Sequence, residues 1–296
     1  MKPKFTVPEN LKPYQRRLMV NGLGLHLYDS GPAPSQGPTF LLVHGLGDEA
    51  DSWRKVFPLL AGQGRVVALD LPGFGRSDHP KRAYTLRFFA DTVVALLEHL
   101  KIPQAVLVGN SMGAAVALRV ALHRPDLAGR LVLVDGPPLR SRLNRVQLMF
   151  LIPGQGEKIY NSFRGSQDAA YESLRPYYAN LDVLPPEDRQ FLRERVWDRV
   201  WSDEQRRAFF STFRWLALEG LLGHPSPARL GQLRAPTLIV WGEQDWVVPA
   251  EAGRTLAGWI PGAKLHIIPG CGHLPQQEKP LELVRLIFNF AVGGYI

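Results

Sequence analysis

The chain contains a single cysteine, Cys271, so no internal disulfide can form and nothing calls for an oxidising compartment. A cytoplasmic setting is the expectation. Long hydrophobic runs are missing too: apolar stretches reach strand length, well short of the roughly 20 residues of a membrane-spanning helix. No stable membrane insertion is expected, and the opening Met1–Asn10 has no apolar run that would make a secretory signal. There are no blocks of one charge. The balance is basic, with 35 Lys and Arg against 27 Asp and Glu. The positive residues are nevertheless scattered, and no helix-turn-helix or zinc-finger spacing accompanies them, so nucleic acid is not an expected partner. His26, His79, His99, His123, His224 and His266 have no ligand-like spacing, so neither a metal nor another cofactor is expected.

What is present is the composition of a globular enzyme, 296 residues with 45% hydrophobic and 21% charged. Asn21-Gly22 between Arg17–Val20 and Leu23–Tyr28 predicts an opening β-hairpin. Short apolar runs then alternate with helical patterns. Thr39–Val43, Arg65–Leu69, Ala105–Val108, Leu131–Val134, Pro236–Val240 and Lys264–Ile268 read as strands buried on both faces, the habit of a parallel sheet. Tyr84–Leu100 and Leu281–Ala291 carry helical spacing. From Pro137 to His224 this rhythm breaks into helical periodicity without strand runs. Residues 137–228 are therefore predicted to be a helical insertion dividing an α/β core into 1–136 and 229–296. Its aromatic set, Trp197, Trp201, Phe209, Phe210, Phe213 and Trp215, exceeds what a surface loop can bury, so part of it is expected to line a pocket against the sheet.

The chemistry concentrates in four loops. Gly109-Asn-Ser111-Met-Gly113 follows a buried strand and precedes a helix, the context of a nucleophile elbow, which presents the serine hydroxyl above the sheet edge. The Met112 amide, at the helix N-terminus, is free to face an oxyanion. His44-Gly-Leu-Gly47 offers a second amide, that of Leu46, with His44 holding the loop. In Trp241–Pro249, Asp245 can orient an imidazole; Glu243 in the same loop and Asp135 at the end of another strand are its rivals. Pro269-Gly-Cys-Gly-His273 can carry that imidazole over Ser111. Cys271 is expected to be structural, since a serine holds the elbow. The chain order Ser111, Asp245, His273 matches that known for this strand-turn-helix arrangement.

With these residues in place, the chain resembles the α/β-hydrolase superfamily over nearly its whole length. His44-Gly-Leu-Gly47, Leu69-Asp-Leu-Pro-Gly-Phe-Gly-Arg-Ser77-Asp78, the elbow, Gly242–Asp245 with Val248-Pro249, and Gly272-His273 stand in the family's order. The resemblance implies that the insertion is a cap setting substrate choice. The serine at the elbow argues against dehalogenase and epoxide hydrolase subgroups, which use aspartate there. Asn110-Ser-Met-Gly113 is similar both to carboxylesterases and monoacylglycerol lipases and to hydrolases of carbon–carbon bonds in ring-fission products. The latter usually have a His-Gly-Ser-Gly-Pro-Gly loop and a tryptophan after the histidine; here His44-Gly-Leu-Gly-Asp48 and His273-Leu274 stand instead, which favours an esterase. The expected substrate is a small-molecule ester with an apolar acyl or alcohol group, contacted by Phe150, Trp197, Phe213 and Leu274 and by the run Leu148–Ile152. The expected alternative is carbon–carbon hydrolysis of a vinylogous diketone acid, its carboxylate held by a cap arginine.

Overall fold

A computed structural model describes residues 3–32, 37–137, 145–222 and 225–294. Strands β1 (Gln15–Val20) and β2 (Leu23–Asp29) form the opening hairpin, and Asn21 and Gly22 take φ of 49° and 78°, the paired left-handed values of a type I′ turn. The remaining strands are β3 (Thr39–Val43), β4 (Arg65–Leu69), β5 (Ala105–Asn110), β6 (Ala128–Val134), β7 (Thr237–Gly242) and β8 (Lys264–Ile268). All eight form one sheet in the order β1-β2-β4-β3-β5-β6-β7-β8, antiparallel as far as the β2–β4 pair and parallel from β4 onward.

The apolar runs are continuous because both sheet faces are covered. In β3, Leu41 and Val43 enter one core with Leu107, Leu133 and Ile239, while Phe40 and Leu42 enter the other with Val106, Val108 and Val240. Helices α1 (Phe57–Ala61), α2 (Leu86–His99) and α3 (Met112–His123) occupy the first half of the chain. Thr85 caps α2 by accepting the Phe88 amide, which starts the helix later than its periodicity begins.

Between β6 and β7 the described chain is helical: α4 (Arg145–Leu151), α5 (Gln155–Ser162), α6 (Gln167–Glu172), α7 (Pro186–Trp201), α8 (Asp203–Leu221) and α9 (Pro227–Leu230), with short 3-10 turns. His224, read as the end of the insertion, and residues 138–144 near its start lie outside the described residues. The cap has its own core of Ala170, Tyr171, Tyr178, Leu181, Leu192, Val196 and Val200. Buried ion pairs join it to the sheet domain: Arg195 of α7 meets Glu49 at 3.1 Å and Asp51 at 2.7 Å, and Arg54 meets Asp188 at 2.7 Å. The chain closes with α10 (Glu251–Trp259), α11 (Pro275–Glu278) and α12 (Pro280–Ala291). No helix among the described residues is long and apolar enough to cross a membrane.

In the apolar run Leu148–Ile152, Leu148, Met149 and Ile152 are 50%, 41% and 54% exposed. Successive residues of a helix are about 100° apart, so turning Phe150 toward α8 turns those three toward solvent.

Candidate active site

Ser111 is the single residue between β5 and α3, at φ 54° and ψ −115°. A Cβ on Gly109 would lie 2.2 Å from the Gly113 carbonyl oxygen, and one on Gly113 would lie 2.2 Å from that of Val43. Strand, turn and helix backbones therefore touch, which only glycine on both sides of the serine permits. Among the described residues, no protein group accepts the amide hydrogens of Met112 or Leu46.

The sheet holds the Leu46 peptide in place through His44. The imidazole Nε2 accepts the Leu71 amide at 3.0 Å, leaving Nδ1 to donate to the Gly45 carbonyl at 2.7 Å. Gly45 C=O and Leu46 N–H belong to one planar peptide and point in opposite directions, so anchoring the carbonyl aims the amide. A Cβ on Gly45 would lie 3.4 Å from the Ser111 Cβ, which puts this loop directly beside the serine. His44 thus holds the loop, as expected from the sequence.

His273 Nδ1 lies 2.7 Å from Asp245 Oδ2, and both side chains are buried. The other oxygen, Asp245 Oδ1, accepts the amides of Val247 and Val248 at 2.8 and 2.9 Å. The carboxylate is therefore held from two sides, with the imidazole as its third donor. Glu243 instead accepts the Gly270 amide at 3.2 Å near the surface, which removes it as a rival. Asp135 is buried beside the pair; one ligand-type atom each of Asp135, Asp245 and His273 lies within 4.8 Å of the others. Desolvation by burial and the charge of Asp245 push the Asp135 carboxyl well above the usual range. Cys271 is buried, and burial followed by the nearby charge of Glu278 pushes its thiol far up, which suits packing rather than nucleophilic attack.

Several contributing residues were not apparent in the sequence. Asn110 donates to the His273 carbonyl at 3.1 Å and accepts from Gln276 Nε2 at 3.1 Å, tying the elbow to the histidine loop. Glu278 accepts the Gly272 and Ala179 amides, each at 2.9 Å. The Tyr177 carbonyl accepts the His273 amide at 2.9 Å, and the Tyr177 ring lies 5.9 Å from the imidazole, centroid to centroid. Most of these contacts join segments far apart in sequence and several end on backbone groups, so no spacing announces them.

The four residues expected to contact substrate fall into two groups. Phe150 and Phe213 meet each other and Phe209 in an aromatic cluster between α4 and α8. Phe209 lies against the His44–Gly47 loop: a Cβ on Gly47 would lie 3.1 Å from its ring. Trp197 and Leu274 pack instead at the edge of the cap's own core, with Tyr177 and Trp201.

A serine on a strained strand-to-helix turn, with a buried Asp–His pair at the same edge of a mostly parallel sheet, defines a serine hydrolase. The chain belongs to the alpha/beta hydrolase fold family, whose profile matches residues 38–280. It is 32% identical over 279 residues to an uncharacterised hydrolase, YugF, of Bacillus subtilis, covering 93% of this chain and 97% of that one. It is 29% identical over 294 residues to the 2-hydroxymuconate semialdehyde hydrolase of Pseudomonas sp. strain CF600, covering 97% and 96%. Among solved structures, a membrane phospholipase A superposes with a TM-score of 0.77 at 25% identity, covering 94% of this chain and 86% of that one. A mutant of the meta-cleavage product hydrolase CumD gives 0.78 at 25% identity, covering 94% and 98%.

Proposed function

We propose that the chain hydrolyses carboxylic esters bearing an apolar acyl or alcohol group, through a Ser111–His273–Asp245 triad under a cap spanning residues 137–228. His273 Nε2 takes the Ser111 proton as Oγ attacks the ester carbon, and the Leu46 and Met112 amides receive the oxyanion. Collapse of the tetrahedral adduct breaks the bond to the alcohol oxygen, which takes the proton back from His273. Water, deprotonated by the same imidazole, then releases the acid and restores Ser111. Asp245 holds the imidazole tautomer and offsets the imidazolium charge.

One observation carries the choice of an uncharged substrate. Among the described residues of α7, buried Arg195 and half-buried Arg199, beside the His44–Gly47 loop, are neutralised by acids of the sheet domain. Arg199 pairs with Asp48 and, at 2.8 Å, with Glu49; Arg195 pairs with Glu49 and Asp51. The adjoining wall is the ring set Phe209, Phe213 and Phe150. Such a lining favours an apolar group next to the scissile carbonyl. The test is a nitrophenyl ester series of graded chain length. Turnover should fall by at least about 10³-fold in Ser111→Ala; near-normal turnover by that variant would refute the triad.

A second reading, carbon–carbon hydrolysis of a ring-fission product, is favoured by the names of the relatives, including a 2-hydroxy-6-oxo-6-phenylhexa-2,4-dienoate hydrolase of Burkholderia cepacia at 30% identity over 288 residues. It requires a cation for the substrate carboxylate. Loss of the dienoate's visible absorbance at a rate exceeding ester turnover would decide for it.

A further inference from the structure

The end of β6 places a second carboxyl group behind the acid of the proposed triad. Asp135 is fully buried and takes a left-handed φ of 48°, a conformation that a non-glycine residue adopts only when its surroundings enforce it. Its Oδ1 accepts the Gly242 amide at 2.8 Å, which fixes the carboxyl plane against β7. Its Oδ2 is buried without a donor. The charged and titratable groups around it are Asp245, His273, Glu278 and the Cys271 thiol. None of these supplies a cation dedicated to Asp135, because His273 is already bonded to Asp245.

Two buried carboxylates this close cannot both stay ionised. Asp245 has three donors, the Val247 and Val248 amides and the imidazole, whereas Asp135 has one. The charge therefore resides on Asp245 and the proton on Asp135. Ionised Asp245 has room for a fourth hydrogen bond, and a protonated Asp135 Oδ2 is the group placed to donate it.

We propose that Asp135 is a proton-bearing positioning residue that donates a hydrogen bond to the Asp245 carboxylate and so holds it toward His273 Nδ1. The upward displacement of the Asp135 carboxyl by burial and by the Asp245 charge agrees with this assignment. The inference rests on the triad reading, and the two fail separately: Ser111→Ala turnover tests the triad, whereas infrared spectroscopy reads the Asp135 proton without turnover.

The first experiment is difference infrared spectroscopy at neutral pH, Ser111→Ala against Ser111→Ala/Asp135→Asn. A carboxylic-acid C=O band present only in the former is expected; its absence overturns the proposal. The second is the pH dependence of kcat/KM. Asp135→Asn replaces the hydroxyl donor by an amide donor and keeps the acceptor for Gly242, so kcat should stay within about threefold of wild type and the acid limb should not move. If Asp135 were an anion, removing its charge would ease deprotonation of His273 and shift the acid limb to lower pH. That shift, or a tenfold loss of kcat in Asp135→Asn, overturns the proposal. Asp135→Ala, which removes the donor, should lower kcat at least tenfold with KM little changed, and wild-type kcat in a folded Asp135→Ala protein overturns it as well.

Discussion

Asn110, the residue immediately before Ser111, donates its side-chain amide to the backbone carbonyl of His273 at 3.1 Å. The same amide reaches the Val134 carbonyl at 3.3 Å, and its oxygen accepts from Gln276. One buried side chain thus locks the elbow, the end of β6 and the histidine loop together. Asn110→Ala strands partners on three segments, so stability should fall by about 1–3 kcal/mol. Activity should fall more steeply than folding accounts for. Denaturant unfolding beside kcat at a temperature where the variant is folded makes the comparison; unchanged kcat would show that the bond does not position His273.

The backbone of Ser111 stores strain that only the elbow requires. Ser111→Ala keeps that strain, while Ser111→Gly relieves it, at φ 54° and ψ −115°. Strain of about 1–3 kcal/mol, less the roughly 0.5–1 kcal/mol entropic cost of glycine, predicts that Ser111→Gly is the more stable of two inactive variants. Their melting temperatures provide the measurement, and equal values would mean the turn is unstrained.

Arg195 bridges Glu49 and Asp51 while lying over the rings of Phe5 and Phe191. Its removal leaves Glu49 with Arg199 and Asp51 with Arg76, each at 2.8 Å, so Arg195→Ala removes one of two cations from each buried carboxylate and should cost about 1.5–3 kcal/mol. Limited proteolysis should then cut within the cap before the sheet domain. A loss below about 1 kcal/mol in denaturant unfolding would show that the cap is not held by this pair.

Phe209 narrows the space over Gly47. Phe209→Ala should move the preferred ester toward longer or bulkier acyl groups and lower kcat/KM for the shortest by roughly tenfold or more. An unchanged chain-length profile would place the acyl group elsewhere.

Stability should vary with pH in two opposite ways. At Asp70, burial opposes ionisation, but the hydrogen bond and charge of His26 and the charge of Arg76 outweigh it and hold the carboxyl far below its ordinary range. Its contribution is present above the unfolded value near 4 and is lost as pH falls. Burial raises Asp135 and Glu278, so the folded chain keeps protons that the unfolded chain releases, and their effect is a loss of stability as pH rises from about 4. The melting temperature should therefore peak on the acid side of neutrality, and Asp135→Asn should flatten the decline above the peak. An equal slope in the variant would contradict the assigned shift.

The sequence by itself determined the architecture and the candidate chemistry. Type I′ turn residues, strand runs without a polar face, and Gly109 and Gly113 around Ser111 are local signals whose causes act within a few residues. The order of Ser111, Asp245 and His273 follows from the strand succession in the same way. Tertiary structure alone decided which side chains meet. It chose Asp245 over Glu243, placed Asp135 behind the chosen acid, turned Leu148 and Met149 outward while Phe150 faced α8, and brought Asn110, Tyr177 and Glu278 onto the histidine loop. Those choices depend on register between strands and on the seating of α7 and α8 over the sheet. Packing between distant segments sets both, and no local spacing in the chain encodes them.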